Sequence, residues 1–201
     1  MKAQLRSQAL KRRATISPLE LSQAGDALVA TQRRFIDDLQ PGSAIAAYVS
    51  MGHEIPTPPL LDSLLKQGMR VLVPRLGTGL DIGWSDYTGT LNLVSMPNTT
   101  SRKTRPQEPQ GKRSGPDAIR QADIIMVPAL AVDPNGTRLG RGAGWYDRAL
   151  QLKKPRAKVI GICWPWEITD SPLPAESHDI PVDYVLQIDM TTGMNTRILT
   201  R

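Results

Sequence analysis

Between Asp123 and Leu150 the sequence runs from an apolar stretch through Pro128-Ala129-Leu130-Ala131-Val132-Asp133 to Arg138-Leu139-Gly140-Arg141-Gly142-Ala143-Gly144-Trp145-Tyr146-Asp147-Arg148. The apolar part reads as a strand and Gly144 to Leu152 as a helix, so a Gly-x-Gly-x-Gly loop opens directly onto a helix. Glycines allow close backbone approach and let successive N–H groups point at an anion, and the helix start adds partial positive charge. Arg138 and Arg141 put fixed positive charge on the same loop. The chemistry implied is a phosphate cradle. It is not a Walker A loop, since Gly-Lys-Ser/Thr is missing, and the last glycine spacing departs from the dinucleotide fingerprint.

Asp147 follows in the first helical turn and carries two readings. A carboxylate there complements the helix dipole. It also suits a magnesium ion beside phosphates, because Mg²⁺ takes one or two carboxylates and completes its shell with phosphate oxygens and water. A second acidic group, His178-Asp179-Ile180-Pro181-Val182-Asp183, stands just before a strand, where Asp179 reads as capping a turn and Asp183 as ending a loop, a functional role being the alternative for either. Cys163, the single cysteine, lies in the apolar run Val159 to Trp164 and reads as a core filler.

The elements that must position these groups follow from periodicity and capping. Residues 2 to 14 predict a short basic helix. Ser17-Pro18-Leu19-Glu20 is a capping box with proline at the first helical position, and apolar spacing carries a helix from there to Leu39, stopped by Pro41-Gly42. Ala44 to Val49 predicts a strand, Thr57-Pro58 to Leu65 a helix ending at Gly68, and Arg70 to Pro74 a second strand. Asp81 to Trp84 predicts a short strand, and Tyr87 to Pro116 a long loop that is a lid or an insertion. Ala122 to Val127, Val159 to Trp164 and Tyr184 to Ile188 predict further strands, with an edge strand at Arg197 to Thr200. The alternation predicts a three-layer α/β/α fold with a mainly parallel central sheet, ligands gathering beyond the carboxyl ends of its strands.

With 201 residues the chain is expected to form one domain. Its 40% apolar and 22% charged residues belong to an ordinary globular protein. No apolar run is long enough to span a bilayer and no secretory signal is apparent, so a cytoplasmic protein without a membrane partner is expected. A formal net charge of +6 attracts anions, and its dispersal along the chain favours a small anionic ligand over a DNA-binding face. A basic nucleic-acid binder using Arg102 to Arg120 is the rival reading, and the 4% aromatic content offers it few stacking platforms.

In four separated places the chain resembles the 5-formyltetrahydrofolate cyclo-ligases, also called methenyltetrahydrofolate synthetases. These are Lys2-x-x-Leu5-Arg6, then Ser50-Met51-Gly52-His53-Glu54-Ile55-Pro56-Thr57, then Val127-Pro128 through Arg148, and finally His178 to Asp183. The resemblance implies ATP-dependent cyclisation of 5-formyltetrahydrofolate to 5,10-methenyltetrahydrofolate, with Mg²⁺ as cofactor. By the same resemblance, ATP would be held by Lys2, Arg6, Arg138, Leu139, Gly140, Arg141, Gly142, Ala143, Gly144, Trp145, Tyr146 and Arg148. Arg141, Tyr146 and Asp147 would serve catalysis, and Asp147 with Asp183 would hold the metal. Val49, Met51, Glu54 and Tyr146 would receive the folate, Glu54 accepting hydrogen bonds from pterin N–H groups. Ala143 stands where relatives carry Gly or Lys, Trp145 replaces a more usual tyrosine, and of an aromatic-Gly-x-x-Glu-Pro segment only Glu108-Pro109 remains. A monomer is expected. The alternative within the resemblance is a folate- or nucleotide-binding relative without turnover.

Overall fold

The computed structural model describes residues 1–77, 81–95, 105–189 and 193–198. Helix α1 spans Lys2–Arg13 and α2 spans Pro18–Ala30. The capping box forms as expected: Ser17 Oγ accepts from Glu20 N–H at 3.2 Å and Glu20 Oε2 accepts from Ser17 N–H at 2.8 Å. The helix expected to run on to Leu39 instead stops at Thr31, whose hydroxyl turns back onto Leu28 O at 3.0 Å, and resumes as the single turn α3 (Arg33–Ile36).

Strand β1 covers only Ala44–Ala46. Ala47 still donates to Leu72 O at 2.8 Å, but from Tyr48 onward the backbone bonds are taken over by a side-chain turn, so the expected strand to Val49 leaves the ladder early. Then follow α4 (Pro58–Lys66), β2 (Arg70–Pro74) and β3 (Trp84–Asp86), the last lying slightly beyond the short strand expected at 81–84. Within the expected long loop, β4 (Leu93–Val94) pairs with β5 (Glu108–Pro109). Residues 96–104 of that loop, Arg102 among them, lie outside the described residues, as do the last two residues of the expected 197–200 strand. The chain continues through β6 (Ala122–Pro128), the small hairpin β7 (Ala131–Val132) and β8 (Arg138–Leu139), α5 (Trp145–Leu150), β9 (Lys158–Cys163), β10 (Tyr184–Asp189) and β11 (Gly193–Ile198).

Seven strands form one sheet in the order β11-β10-β9-β6-β1-β2-β3. The five inner strands are parallel, and β3 and β11 close the two edges antiparallel. Because successive strand residues face opposite sides, the sheet buries two cores. Ile45, Val71, Val73, Ile124, Met126, Ile160 and Ile162 pack with Leu28, Leu60, Leu61 and Leu64 of α2 and α4. Ala46, Leu72, Ile125, Val127, Val159 and Cys163 pack with Ile119, Ala149 and Leu150 on the other side. That second face is covered by the six-residue α5 and a 3-10 turn at Pro116–Gln121 rather than by long helices. Three layers with a mainly parallel sheet are thus present. After β1 the chain moves to β2 on one side, and after β5 it returns to β6 on the other. The β1/β6 boundary is therefore the switch point, where the loops leaving two carboxyl ends diverge and where ligands of such sheets gather.

Candidate active site

Two loops meet at this boundary. The first follows β1. Thr57 Oγ1 donates to Tyr48 O at 2.6 Å and accepts from Ser50 N–H at 3.0 Å, while Thr57 N–H donates to Ser50 Oγ at 3.1 Å. These bonds pinch residues 50 to 57 into a turn, with Gly52 at φ +59. At its apex Met51 N–H donates to Glu54 Oε2 at 3.0 Å, folding the carboxylate back until the residue is buried. A buried carboxylate is costly unless paired, and Glu54 is paired: Arg141 reaches its Oε1 at 3.1 Å.

Arg141 comes from the second loop. Past β6 the hairpin turn is tied by Asp133, whose Oδ1 accepts from Asn135 and Thr137 N–H and whose Oδ2 accepts from Leu173 N–H. Leu130 N–H donates to Leu139 O at 2.8 Å, which delivers β8 back to the carboxyl edge. The glycine-rich loop starts there. Gly142 at φ +97 and Gly144 at φ +61 adopt backbone that side chains strain. The N–H groups of Gly140, Arg141, Gly142, Ala143 and Gly144 donate to no acceptor among the described residues. Five consecutive open donors on a glycine loop make a concave electropositive surface.

Arginines frame it. Arg6 Nε donates to Gly140 O at 2.8 Å, and a Cβ on Gly142 would stand 3.2 Å from the Arg6 Cζ, so α1 lies against the loop. Arg148 Nη1 donates to Ala143 O at 3.1 Å. Arg138 is buried, pairs with Asp147 Oδ1 at 2.5 Å, keeps its Nε without a partner, and places its Cζ 5.7 Å from the centre of the Tyr146 ring. Trp145 packs edge-on against Tyr146 with ring centres 4.8 Å apart. Burial, then the nearby Glu54 charge, push the Tyr146 phenol far above its ordinary value. Tyr146 is therefore a neutral hydroxyl, suited to donating a hydrogen bond and not to acting as a base.

The expected residues fall into groups. Arg6, Arg138, Leu139, the loop 140–144, Trp145, Tyr146, Asp147 and Arg148 are brought together, and Glu54 joins them through Arg141. Met51 is half-buried beside Glu54, whereas Val49 is buried within the core. Lys2 is held by Glu176 at 2.8 Å and Asp179 at 3.4 Å, pairing the first and last of the recognisable motifs. The bond to Glu176 raises the Lys2 pKa. Glu176 is lowered, first by its bond to Lys2; Asp179 is lowered because the Glu176 N–H and Lys2 outweigh the opposing effect of burial. The carboxylate contribution of this clasp is present above the ordinary carboxylate range and is lost as pH falls through the depressed folded values.

Asp183 is anchored to β9. It precedes β10 at the amino end of the parallel strands, where its Oδ2 accepts from Val159 N–H at 2.8 Å and its own N–H donates to Val159 O. Asp147 is tied to Arg138 in the first turn of α5, and the chain two residues before Arg138 is bonded to Val182, the neighbour of Asp183, through Val182 N–H to Gly136 O at 2.9 Å. A magnesium ion needs less than a full cage. Among the described residues no three His, Cys, Asp or Glu side chains converge, yet Asp147 Oδ2 has no donor from those residues and follows the open amides by three residues in the chain. A carboxylate oxygen without a donor, on the helix that follows a run of open amides, fits the cation.

Sequence reasoning passed over Arg13 and Glu167, buried partners beneath Glu54. The available signal was the seven-residue interval from Arg6 to Arg13, two helical turns that put both on one face of α1. Cys163 is buried in the second core, and burial raises its thiol pKa, so it is unreactive packing.

A family model described as the 5-formyltetrahydrofolate cyclo-ligase family matches residues 1–187. A 5-formyltetrahydrofolate cyclo-ligase of Mycolicibacterium smegmatis is 36% identical over 192 residues, covering 92% of each chain. One from Haemophilus influenzae is 29% identical over 188 residues, 91% of this chain and 95% of that relative. The NMR structure of Aquifex aeolicus 5,10-methenyltetrahydrofolate synthetase covers 100% of this chain and 93% of its own, with TM-score 0.75 and 25% identity. A 5,10-methenyltetrahydrofolate synthetase from Mycoplasma pneumoniae shares the fold, with TM-score 0.66 at 22% identity over 92% of this chain and 96% of its own.

Proposed function

The chain belongs to the 5-formyltetrahydrofolate cyclo-ligase family and is an enzyme of that activity, and from this premise we propose how its residues carry the reaction. The γ-phosphoryl group of ATP passes to the formyl oxygen of 5-formyltetrahydrofolate, and ADP departs. The neighbouring folate nitrogen attacks the activated carbon, loses its proton, and the carbon–oxygen bond breaks to release phosphate and 5,10-methenyltetrahydrofolate. Such chemistry asks chiefly for alignment and for neutralisation of phosphate charge. No protein nucleophile is required.

The observation that carries this reading is the run of open amides from Gly140 to Gly144 between Arg6, Arg138, Arg141 and Arg148. These groups hold the triphosphate and meet negative charge as it gathers on the β–γ bridging oxygen of the departing ADP. Asp147 would hold the magnesium ion, which when bound would supply neutralisation of phosphate charge. Glu54 accepts from pterin N–H groups, and Met51 and Tyr146 wall the ring. Tyr146 donates as a neutral phenol. Because the Glu54–Arg141 pair joins the two loops, the formyl group and the phosphate are drawn to the same place.

The one seven-stranded sheet that carries both loops supports a single domain; the monomeric state and the cytoplasmic location are part of the same proposal. Among the described residues no helix is long and apolar enough to cross a membrane. Purified protein given ATP, Mg²⁺ and 5-formyltetrahydrofolate is expected to produce the methenyl chromophore, with ADP and phosphate in equal amounts. Tight binding of both substrates without that absorbance would overturn the mechanism.

The clasp at Lys2 gives a further expectation. If Lys2 reaches the phosphates, it must leave Glu176 and Asp179. Lys2→Ala is then expected to raise the KM for ATP several-fold, on the order of one lost charge-assisted hydrogen bond, at unchanged KM for the folate. An unchanged KM for ATP would leave Lys2 as part of the clasp alone.

A further inference from the structure

Beneath the folate side of the site lies a chain of alternating charges: Glu167, Arg13, Glu54, Arg141. Arg13, in the last turn of α1, is buried. Its Nε and Nη2 donate to the two oxygens of Glu167 at 2.7 and 2.8 Å, and Nη2 also donates to Ala129 O at 2.6 Å. The remaining nitrogen, Nη1, is buried without a hydrogen-bond partner and stands 3.8 Å from Glu54 Oε1. Glu167 is itself fixed, accepting from Trp164 N–H at 2.9 Å.

The two ends of the chain differ. The Arg141 side chain is 43% exposed on the open loop, while those of Arg13, Glu54 and Glu167 are all 5% exposed or less. Arg141 can swing towards a phosphate; Arg13, clamped by Glu167 and Ala129, cannot. Once Arg141 turns, Glu54 would be a buried carboxylate held by one backbone N–H, unless another cation takes its place. Among the described residues the only other cation within 4 Å of Glu54 is Arg13.

We infer that Arg13 is the positioning residue for Glu54: it holds the carboxylate in place when Arg141 turns to phosphate, so that both substrates are bound at once. This rests on Glu54 as the folate-binding carboxylate. Glu167 aims Arg13, and the free Nη1 is the donor kept for the exchange.

The test compares three variants. Arg13→Met/Glu167→Gln removes both charges of the buried pair, while the introduced glutamine carbonyl still accepts from Trp164 N–H. It is expected to raise the KM for 5-formyltetrahydrofolate about tenfold and leave the KM for ATP within about twofold, the loss of one hydrogen bond to a charged group. Glu167→Gln alone keeps Arg13 and an acceptor for it, and is expected to keep both KM values. Glu54→Gln, which tests the underlying assignment, is expected to raise the folate KM at least as much. A parental folate KM in the folded double variant, beside a raised one in Glu54→Gln, overturns the role of Arg13 alone. A parental value in Glu54→Gln overturns the reading of Glu54 and this inference with it. An equal rise in Glu167→Gln and the double variant would mark the pair as structural only and overturn the inference. Should the double variant fail to fold by circular dichroism, Arg13→Lys decides, because a lysine serves Glu167 or Glu54 but not both. A raised folate KM at parental ATP KM supports the exchange, and parental values for both overturn it.

Discussion

Asp147→Asn is expected to lower kcat roughly a hundredfold at saturating substrates, as misalignment and loss of a cation ligand do elsewhere. That corresponds to about 2.7 kcal/mol of transition-state stabilisation. The substitution is isosteric, and the Asn carbonyl can still accept from Arg138, whose Nη2 now meets Asp147 Oδ1 at 2.5 Å. What disappears is the charge. Arg138 is buried and loses its counter-ion, so stability falls too, by about 1–2 kcal/mol, softened because the aspartate side chain is 20% exposed and a hydrogen bond remains. The informative measurement is kcat against magnesium concentration, beside a denaturation curve. A variant that melts close to the parent and works a hundredfold more slowly, recovering partly at high magnesium, places the cation at Asp147. Near-parental turnover would return Asp147 to the duty of pairing Arg138.

Much of this arrangement was legible in the sequence, and the reasons are local. The capping box at Ser17 to Glu20 and the apolar runs at Arg70 to Pro74 and Ala122 to Val127 determine their elements within a few residues, so the β2 and β6 strands stood where expected. The glycine spacing at 140, 142 and 144 advertised open amides because the backbone itself supplies the donors. Three features were hidden. The β7–β8 hairpin has two-residue strands, too short for any alternation to show. The break at Thr31 comes from a hydroxyl bonding back along its own helix, which apolar spacing cannot reveal. The Arg13–Glu167 pair joins residues 154 apart and exists only after α1 folds across the carboxyl edge. Asp183 shows a different limit: it closes a recognisable motif, but that one of its oxygens accepts from Val159 N–H becomes visible only once β9 and β10 lie side by side.

Gly136→Ala tests whether the hairpin does more than connect. Gly136 sits at φ +79, and a Cβ there would stand 2.4 Å from Val182 O and 3.3 Å from Pro181 Cβ. The neighbour is backbone, held in turn by Val182 N–H donating to Gly136 O at 2.9 Å, so it cannot swing aside as a side chain could. Left-handed backbone costs an alanine about 1 kcal/mol, and overpacking against a fixed carbonyl adds about 1–3 kcal/mol more. The expected sum, about 3 kcal/mol, lowers the melting temperature by roughly 10 °C in a chain of this size. Gly111→Ala is the matched control, since a Cβ there meets nothing within 4 Å, and it should melt with the parent. The functional consequence separates two views of the turn. Two residues after Gly136 the chain reaches Arg138, which holds Asp147 and faces Tyr146. If the docking of the turn onto Val182 sets that arginine, Gly136→Ala loses turnover even at temperatures where it is fully folded, and its kcat falls and its KM for ATP rises while the KM for the folate holds. If the turn only closes the hairpin, activity per folded molecule stays at the parental value and the stability loss stands alone.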